Sequence, residues 1–313
     1  MPRTSQELHV GPGAEALPAE ERRVAGRLAI GFAALLAATV GLMTLGALVR
    51  AHEAGLACPD WPLCFGQLVP RMDLRVAFEW SHRAVAGSVS LAFLAMAAAA
   101  LRRPGLRRAL AVPLGATALV LGVQILLGAL TVWHLLASWT VTCHLLVGNA
   151  FAVAVLLTAA RLRELARPAM GAVRVRADPV TRALSWTTLA LLVLQVALGG
   201  LVSSTFAGLA CPEWPACNGG VWFPSGRGGV GLHLAHRING YLLLGLFLAV
   251  AFRARATPGL RGIAAAAAAL AVGQVLVGIA NVLLALPVEV TGLHSLLAAL
   301  LVLTQTWAVR TAA

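Results

Sequence analysis

The chain alternates long apolar runs with short polar breaks. Leu28–Val49 is the first run, and others follow at 77–101, 109–131, 139–160, 183–205, 229–252, 262–285 and 290–309. A helix of about 20 residues crosses a hydrocarbon core about 30 Å thick, and every run reaches that length. The pattern therefore predicts an all-α integral membrane protein with eight transmembrane helices. Leu28–Val49 is longer than the core of an ordinary secretory leader, so it reads as a retained first helix. Residues 1–27 combine Pro, Gly, Ala and charge without an apolar period and read as an N-terminal tail.

The polar breaks supply an orientation. Arg22, Arg23 and Arg27 precede the first run, Arg102, Arg103, Arg107 and Arg108 follow the second, and Arg161, Arg163, Arg167, Arg174, Arg176 and Arg182 follow the fourth. Arg253, Arg255 and Arg261 follow the sixth. Every second connection is thus basic. By the positive-inside rule both termini and these connections face the cytoplasm, and the intervening connections face outward. Composition agrees: 59% of residues are hydrophobic, 12% are charged and mean hydropathy is +0.85, too apolar for a soluble globule of 313 residues. The net charge of +12 comes from arginines in these clusters with no lysine, so it marks topology and argues against a nucleic-acid partner.

The outward connections contain a repeat. AGLACPDWPLC at 54–64 recurs as AGLACPEWPAC at 207–217, and His82-Arg83 follows the first copy much as His236-Arg237 follows the second. Gln124-Ile-Leu-Leu-Gly128 likewise returns as Gln274-Val-Leu-Val-Gly278, with His144 and His294 each 20 residues beyond the glutamine. The expectation is two repeated four-helix bundles, 28–160 and 183–313, joined by a basic cytoplasmic linker at 161–182. An even number of helices inserts both halves in the same direction, related by an axis along the membrane normal.

This register gathers the candidate chemistry at one depth. His82, His144, His236 and His294 each lie about five residues inside the outer end of an even-numbered helix, where an ionisable side chain is costly. Any one alone reads equally well as a neutral histidine bonded to a neighbouring helix. Four at equivalent depths in two copies are not explained by packing. Two imidazoles from facing helices suit the two axial positions of a haem iron, which gives one haem-type site per half. Zinc would require thiolates or carboxylates beside the histidines, and the loop cysteines lie off the ligand helices. Arg83 and Arg237 directly follow candidate ligand histidines and suit either haem propionates or the membrane interface.

The halves differ three residues before the ligand, where the first has Glu79 and the second His233. A carboxylate at one site only suggests that the first half reacts, through proton acceptance or charge stabilisation, and that the second holds a permanent cofactor. The plainer alternative places Glu79 in the interface facing water. Spacing and an oxidising side predict disulfides Cys58–Cys64 and Cys211–Cys217, as loop staples in preference to electron carriers. Cys143 reads as a packing residue, and His9, His52 and His134 as tail or interfacial residues without counterparts in the other half.

The residues alone leave other classes open. A di-haem b electron-transfer subunit, oxidising a quinol, fits two haem sites, although a transmembrane wire calls for haems on opposite sides. A transporter fits the duplication but binds substrate near the midplane, where these helices are nearly bare Leu, Ala and Val. GALVR at 46–50, AGLACPDWPLC, Glu79-Trp-Ser-His-Arg83 and the single histidines on the even helices resemble the haem A synthase family of cytochrome oxidase assembly. The resemblance covers the chain beyond its tail. It implies an oxidoreductase of the cell membrane that turns the C8 methyl group of haem O into a formyl group through a hydroxylated intermediate. It further implies His82 and His144 as ligands of the substrate haem, Glu79 as the essential acid, and His236 and His294 as ligands of haem b. Cys58 with Cys64 matches the loop pair linked to activity in cysteine-bearing members. The implied partners are haem O as substrate, a haem O synthase that delivers it, an electron acceptor and membrane lipid; association between copies of the chain stays open.

Overall fold

The computed structural model describes residues 17–168 and 174–312; His9 and residues 169–173 of the linker lie outside the described residues. Among the described residues there are eight α-helices: α1 Ala19–Ala51, α2 Leu74–Leu101, α3 Pro104–Trp133, α4 Ser138–Ala166, α5 Pro179–Ser204, α6 Gly228–Ala254, α7 Arg261–Leu283 and α8 Val288–Thr311. All eight are long and apolar enough to cross a membrane. Among the described residues there is no strand, only isolated bridges at Cys64–Gln67 and Asn218–Val221. The chain is a multi-pass helical membrane protein.

Exposure follows from that solvent. Ile30, Leu91, Val112, Leu119, Phe252 and Leu276 are exposed on the outer surface of the helices, where lipid replaces water. Buried Thr39, Thr117, Thr158, Ser185 and Thr188 face inward, each hydroxyl donating to the carbonyl four residues earlier. That bond satisfies a hydroxyl where no water is available. In the first half Phe32, Phe93 and Phe151 meet edge to face, with centroids 6.2 and 5.8 Å apart. In the second half Phe247 occupies the place of Phe93, eleven residues after its histidine, and packs with Leu192, Val196 and Leu243.

Helix neighbours follow the same cycle in each half. α1 packs on α2 and α4, and α3 on α2 and α4; α5 packs on α6 and α8, and α7 on α6 and α8. Exchange of the halves turns the α1–α8 contact into the α5–α4 contact, and both are present. A further tie between the halves is Arg50 at the end of α1, which donates to the Ser203 carbonyl of α5 at 2.9 Å and lies over the Phe206 ring.

Helix ends account for the differences from the apolar runs. α1 begins at Ala19 rather than Leu28, because Glu20 pairs with Arg103 at 2.7 Å and Glu21 accepts from the Gly105 and Leu106 amides at the start of α3. α4 continues through Arg161 and Arg163 to Ala166, with Glu164 paired to Arg310 at the end of α8. Asp178 caps α5 through the Val180 and Thr181 amides and meets Arg253 of α6 at 2.8 Å. The Thr181 hydroxyl and amide, with Arg253, hold its carboxyl well below the usual carboxylate range.

At the opposite end two tight connections repeat each other. Leu135 and Leu136 between α3 and α4, and Ala285 and Leu286 between α7 and α8, all take positive φ, from 50° to 62°. Such conformations persist in non-glycine residues only when the surroundings hold them. Here the Leu136 amide donates to Thr131 and the Leu286 amide to Asn281. The side chains pack on glycines of the cysteine loops: a Cβ on Gly55 would lie 3.3 Å from Leu136, and one on Gly208 would lie 3.0 Å from Leu286.

Candidate haem sites and cysteine loops

Each ligand candidate sits in the second or third turn of an even-numbered helix, next to a cysteine loop or a tight connection. His82 and His144 lie within electrostatic reach of one another, as do His236 and His294. The structure therefore brings the four histidines together as two pairs, one in each half. Every imidazole rests on a glycine of the preceding helix. A Cβ on Gly46 would lie 3.0 Å from His82 Cε1; for Gly128 and His144 the distance is 3.3 Å. For Gly199 with His236 and Gly278 with His294 it is 3.2 Å. Any side chain at these four positions would push the ring into the site.

Three rings are also met by a glutamine. Gln124 Nε2 lies 3.2 Å from His144 Nε2, Gln195 Nε2 is 3.4 Å from His236 Nε2, and Gln274 Nε2 is 3.2 Å from His294 Nε2. His82 has no glutamine beside it; the Leu42 backbone carbonyl faces its ring, as the Gln124 backbone carbonyl faces that of His144. In all four histidines Nδ1 is buried without a hydrogen-bond partner among the described residues. A buried ring nitrogen without a partner is costly, and a ligand relieves the cost. Among the described residues no three His, Cys, Asp or Glu side chains converge on a possible metal ion. The donor set is thus one imidazole pair per half, each ring resting on a glycine, and such a pair suits a haem iron and not a tetrahedral metal.

Above each pair the cysteine loop folds onto α2 or α6. Cys58–Cys64 and Cys211–Cys217 are disulfide-bonded, with Cα atoms 4.7 and 4.3 Å apart. Trp61-Pro62 and Trp214-Pro215 are cis in both copies. Glu79 is 4% exposed; its Oε2 accepts from the Cys58 amide at 2.8 Å and its Oε1 from Arg83 at 2.5 Å. His233 takes the same place in the second half. Its Nδ1 lies 3.4 Å from the Cys211 amide nitrogen and its Nε2 3.2 Å from Arg237 Nε, and the neutral ring accepts from one of these two donors at a time. The two arginines anchor the loops: Arg83 donates to the carbonyls of Cys58, Asp60 and Leu63, and Arg237 to those of Cys211, Glu213 and Ala216. Glu79 is therefore not at a water-facing surface. It clamps the first loop, and His233, which sequence reasoning left without a role, clamps the second.

Asp60 and Glu213 hold the far side of the loops. Asp60 accepts from the Phe65 and Gly66 amides, and Glu213 from those of Gly219 and Gly220. The Gly66 amide, with Phe65 and the positive Arg83 behind it, keeps the Asp60 carboxyl below its usual pKa. A depressed folded value means that this contribution to loop order is complete above the ordinary carboxylate value of about 3.9 and is lost as pH falls through the folded value. Pepsin cleavage near exposed Phe65 is accordingly expected to stay slow at pH 5 and accelerate below the ordinary value. An Asp60→Asn protein should lack this acid step; an unchanged pH profile in that protein would remove Asp60 from loop ordering.

The remaining candidates lie apart from the pairs. His52 stacks on Phe78 with centroids 4.1 Å apart, and His134 meets Trp139 edge to face at the end of α3. Cys143 is a free, half-buried thiol beside His144. Sequence reasoning did not assign roles to the glutamines or the ligand-facing glycines. A signal was available: Gln195-Val-Ala-Leu-Gly199 is a third copy of the Gln-x-x-x-Gly pattern, and Leu42-Met-Thr-Leu-Gly46 is its counterpart in α1 without the glutamine.

Comparison with known proteins places the chain in a family. The model of the family described as cytochrome oxidase assembly protein matches residues 29–306. A haem A synthase of Shewanella oneidensis is 31% identical over 307 residues, covering 85% of this chain and 91% of its own length. One from Alkalihalophilus pseudofirmus is 32% identical, covering 66% of this chain and 68% of its own. One from Symbiobacterium thermophilum is 33% identical, covering 67% and 70%. With the paired histidines, the duplicated cysteine loops and a match over nearly the whole described chain, the protein belongs to the cytochrome oxidase assembly family in which these haem A synthases fall.

Proposed function

We propose that this chain is a haem A synthase, an oxidoreductase that converts haem O to haem A by oxidising the C8 methyl group to a formyl group through a hydroxylated intermediate. The observation that carries the reading is asymmetry within a duplication. Both halves bring an imidazole pair beneath a disulfide loop, and a carboxylate on the ligand helix clamps the loop in the first half only. His82 and His144 hold the substrate in the bundle 28–160, and His236 and His294 hold haem b in the bundle 183–313. Arg83 and Arg237 place positive charge at the rim of each site, where it suits the propionate carboxylates. The cysteine loops face the outside and the arginine-rich ends, with both termini and the linker 161–182, face the cytoplasm.

The conversion removes four electrons from the methyl carbon. With water as the oxygen source, CH3 and H2O give CHO, four protons and four electrons to an acceptor. With dioxygen, CH3 and O2 give CHO and H2O. Bound haem iron supplies the redox chemistry. The chain's own residues orient the substrate ring between His82 and His144, exclude water beneath the Cys58–Cys64 loop, and present Glu79 as the acidic group for proton transfer. Haem O arrives from a haem O synthase in the same membrane.

Extraction and chromatography of haem from the protein purified from haem O-producing cells tests this. The expected result is haem b together with haem O, haem A or the intermediate alcohol. Two haem b per chain without conversion would instead support an electron carrier, and no haem at all would end the haem reading.

A further inference from the structure

At the arginine-rich end, where the two halves meet, α1 and α4 leave a groove of about 490 Å3 between them, and Trp307 of α8 closes its third side. Small residues open it: Gly26 and Ala33 on α1, and Ala159 and Ala160 on α4. The groove runs from Leu36 to Gly26 along one helix and from Leu156 to Arg167 along the other. At 1.5 Å per residue each stretch is about 15 Å long, half of a hydrocarbon core about 30 Å thick, so the groove is one leaflet deep. Ile30, 74% exposed, marks its open side.

Duplication supplies a comparison. Thirteen residues before the ring-facing glycine stands Ala33 in α1 and Trp186 in α5, and sixteen residues after the histidine stands Ala160 in α4 and Arg310 in α8. The bundle itself therefore does not require the alanines, since its other copy is built with large side chains at the same places.

The mouth of the groove is positive. Arg163 and Arg167 line it, and Arg23 stands three residues before Gly26. Arg23 and Arg163 are exposed, and neither side chain has a hydrogen bond or ion pair among the described residues. The neighbouring acids are engaged elsewhere. Glu164 pairs with Arg161 and Arg310, Glu20 with Arg103, and Glu21 accepts from the Gly105 and Leu106 amides. Arg310 also lies over the Trp307 ring, 5.0 Å from its centroid, and steadies that wall.

An apolar slot one leaflet deep with guanidinium groups at its mouth matches a phospholipid with an anionic headgroup. A soluble anion would leave the apolar walls uncovered, and a zwitterionic lipid would bring its own cation to the arginines. We infer that the groove binds one anionic phospholipid, with an acyl chain between α1 and α4 and the phosphate on Arg163 and Arg167. Because α1 and α4 belong to one half and α8 to the other, this lipid ties the halves together at the end of the bundle opposite the histidine pairs.

Native mass spectrometry tests this on the full-length protein, stripped of lipid in detergent and titrated with phosphatidylglycerol or with phosphatidylcholine of the same chains. One phosphatidylglycerol per chain is expected to bind ahead of further lipid and to raise the melting temperature more than phosphatidylcholine does. Arg163→Gln should weaken this first site by about 5-fold, the worth of one basic residue at an anionic membrane surface. Arg108→Gln, the same change of charge on α3, should leave it unaltered. Ala33→Trp should abolish it by filling the slot. Equal affinity for the two lipids, or a first site unchanged in both Arg163→Gln and Ala33→Trp, would overturn the inference. So would a dimer that Ala33→Trp dissociates, which would give the groove to a second copy of the chain. Should Ala33→Trp fail to fold, Arg163→Gln against Arg108→Gln decides.

Discussion

Exchange of Glu79 for glutamine is expected to lower haem A formation by about 100-fold or more, the range assigned to loss of a positioned acid or base, while haem stays bound in both halves. The residue lies three positions before His82 on the same face of α2 and is joined to the first loop through the Cys58 amide and to Arg83. Two effects of the exchange must be separated. Glutamine keeps the shape but brings an NH2 group to face either the Cys58 amide or the Arg83 guanidinium, and both are donors, so the loop loosens as the acid is lost. The second half supplies the control, because His233 performs the same clamping without a carboxylate. Glu79→His should therefore restore the loop, measured as resistance of Cys58–Cys64 to reduction and alkylation, without restoring haem A. Full activity in Glu79→His would reduce Glu79 to a clamp. Normal haem A output from Glu79→Gln would remove its charge from the mechanism.

The parts of this architecture that were legible in sequence are those written as local period or as repeat. Eight apolar runs gave eight helices because in lipid a spanning segment has to satisfy its own backbone, and length alone then identifies it. The start of α1 was displaced from Leu28 to Ala19 because its first turns are polar and are held by contacts with α3, 84 and 85 residues away. The four histidines stood out because duplication placed them in register. The contrast between Glu79 and His233 was visible as well, but not its consequence. Both residues turn upward into loops that lie about 20 positions earlier in the chain, and the cysteine-loop carbonyls that receive Arg83 and Arg237 carry no mark in sequence. The glycines under the rings were hardest to read. A glycine in a membrane helix most often signals close helix packing, and only the facing imidazole distinguishes this use.

Those glycines lead to the second large effect. Gly278→Leu is expected to reduce bound haem b to less than about a tenth of one per chain, because even the first carbon of a side chain would stand 3.2 Å from His294 Cε1 and the rest would occupy the ring's place. Gly199→Leu should do the same through His236, also at 3.2 Å. The appropriate control is Gly245→Leu in α6, where a Cβ would meet nothing within 4 Å and haem b should remain. Alanine sharpens the argument by reversing the sign of one effect. Gly→Ala within a helix stabilises the helix by about 0.5–1 kcal/mol through the unfolded chain, at the ring-facing and open positions alike. At Gly278 the haem-free protein should thus become no less stable while haem affinity falls, and at Gly245 stability should rise with affinity unchanged. Pyridine haemochrome content and the melting temperature of the haem-free protein report the two quantities separately. Gly278→Leu with a full complement of haem b would show that the ring is not pressed against this glycine when haem is bound. Equal losses of haem and of haem-free stability would make the glycines packing residues alone, and the fourfold pairing of glycine with histidine would then reflect close approach of neighbouring helices instead of a cradle for the ligands.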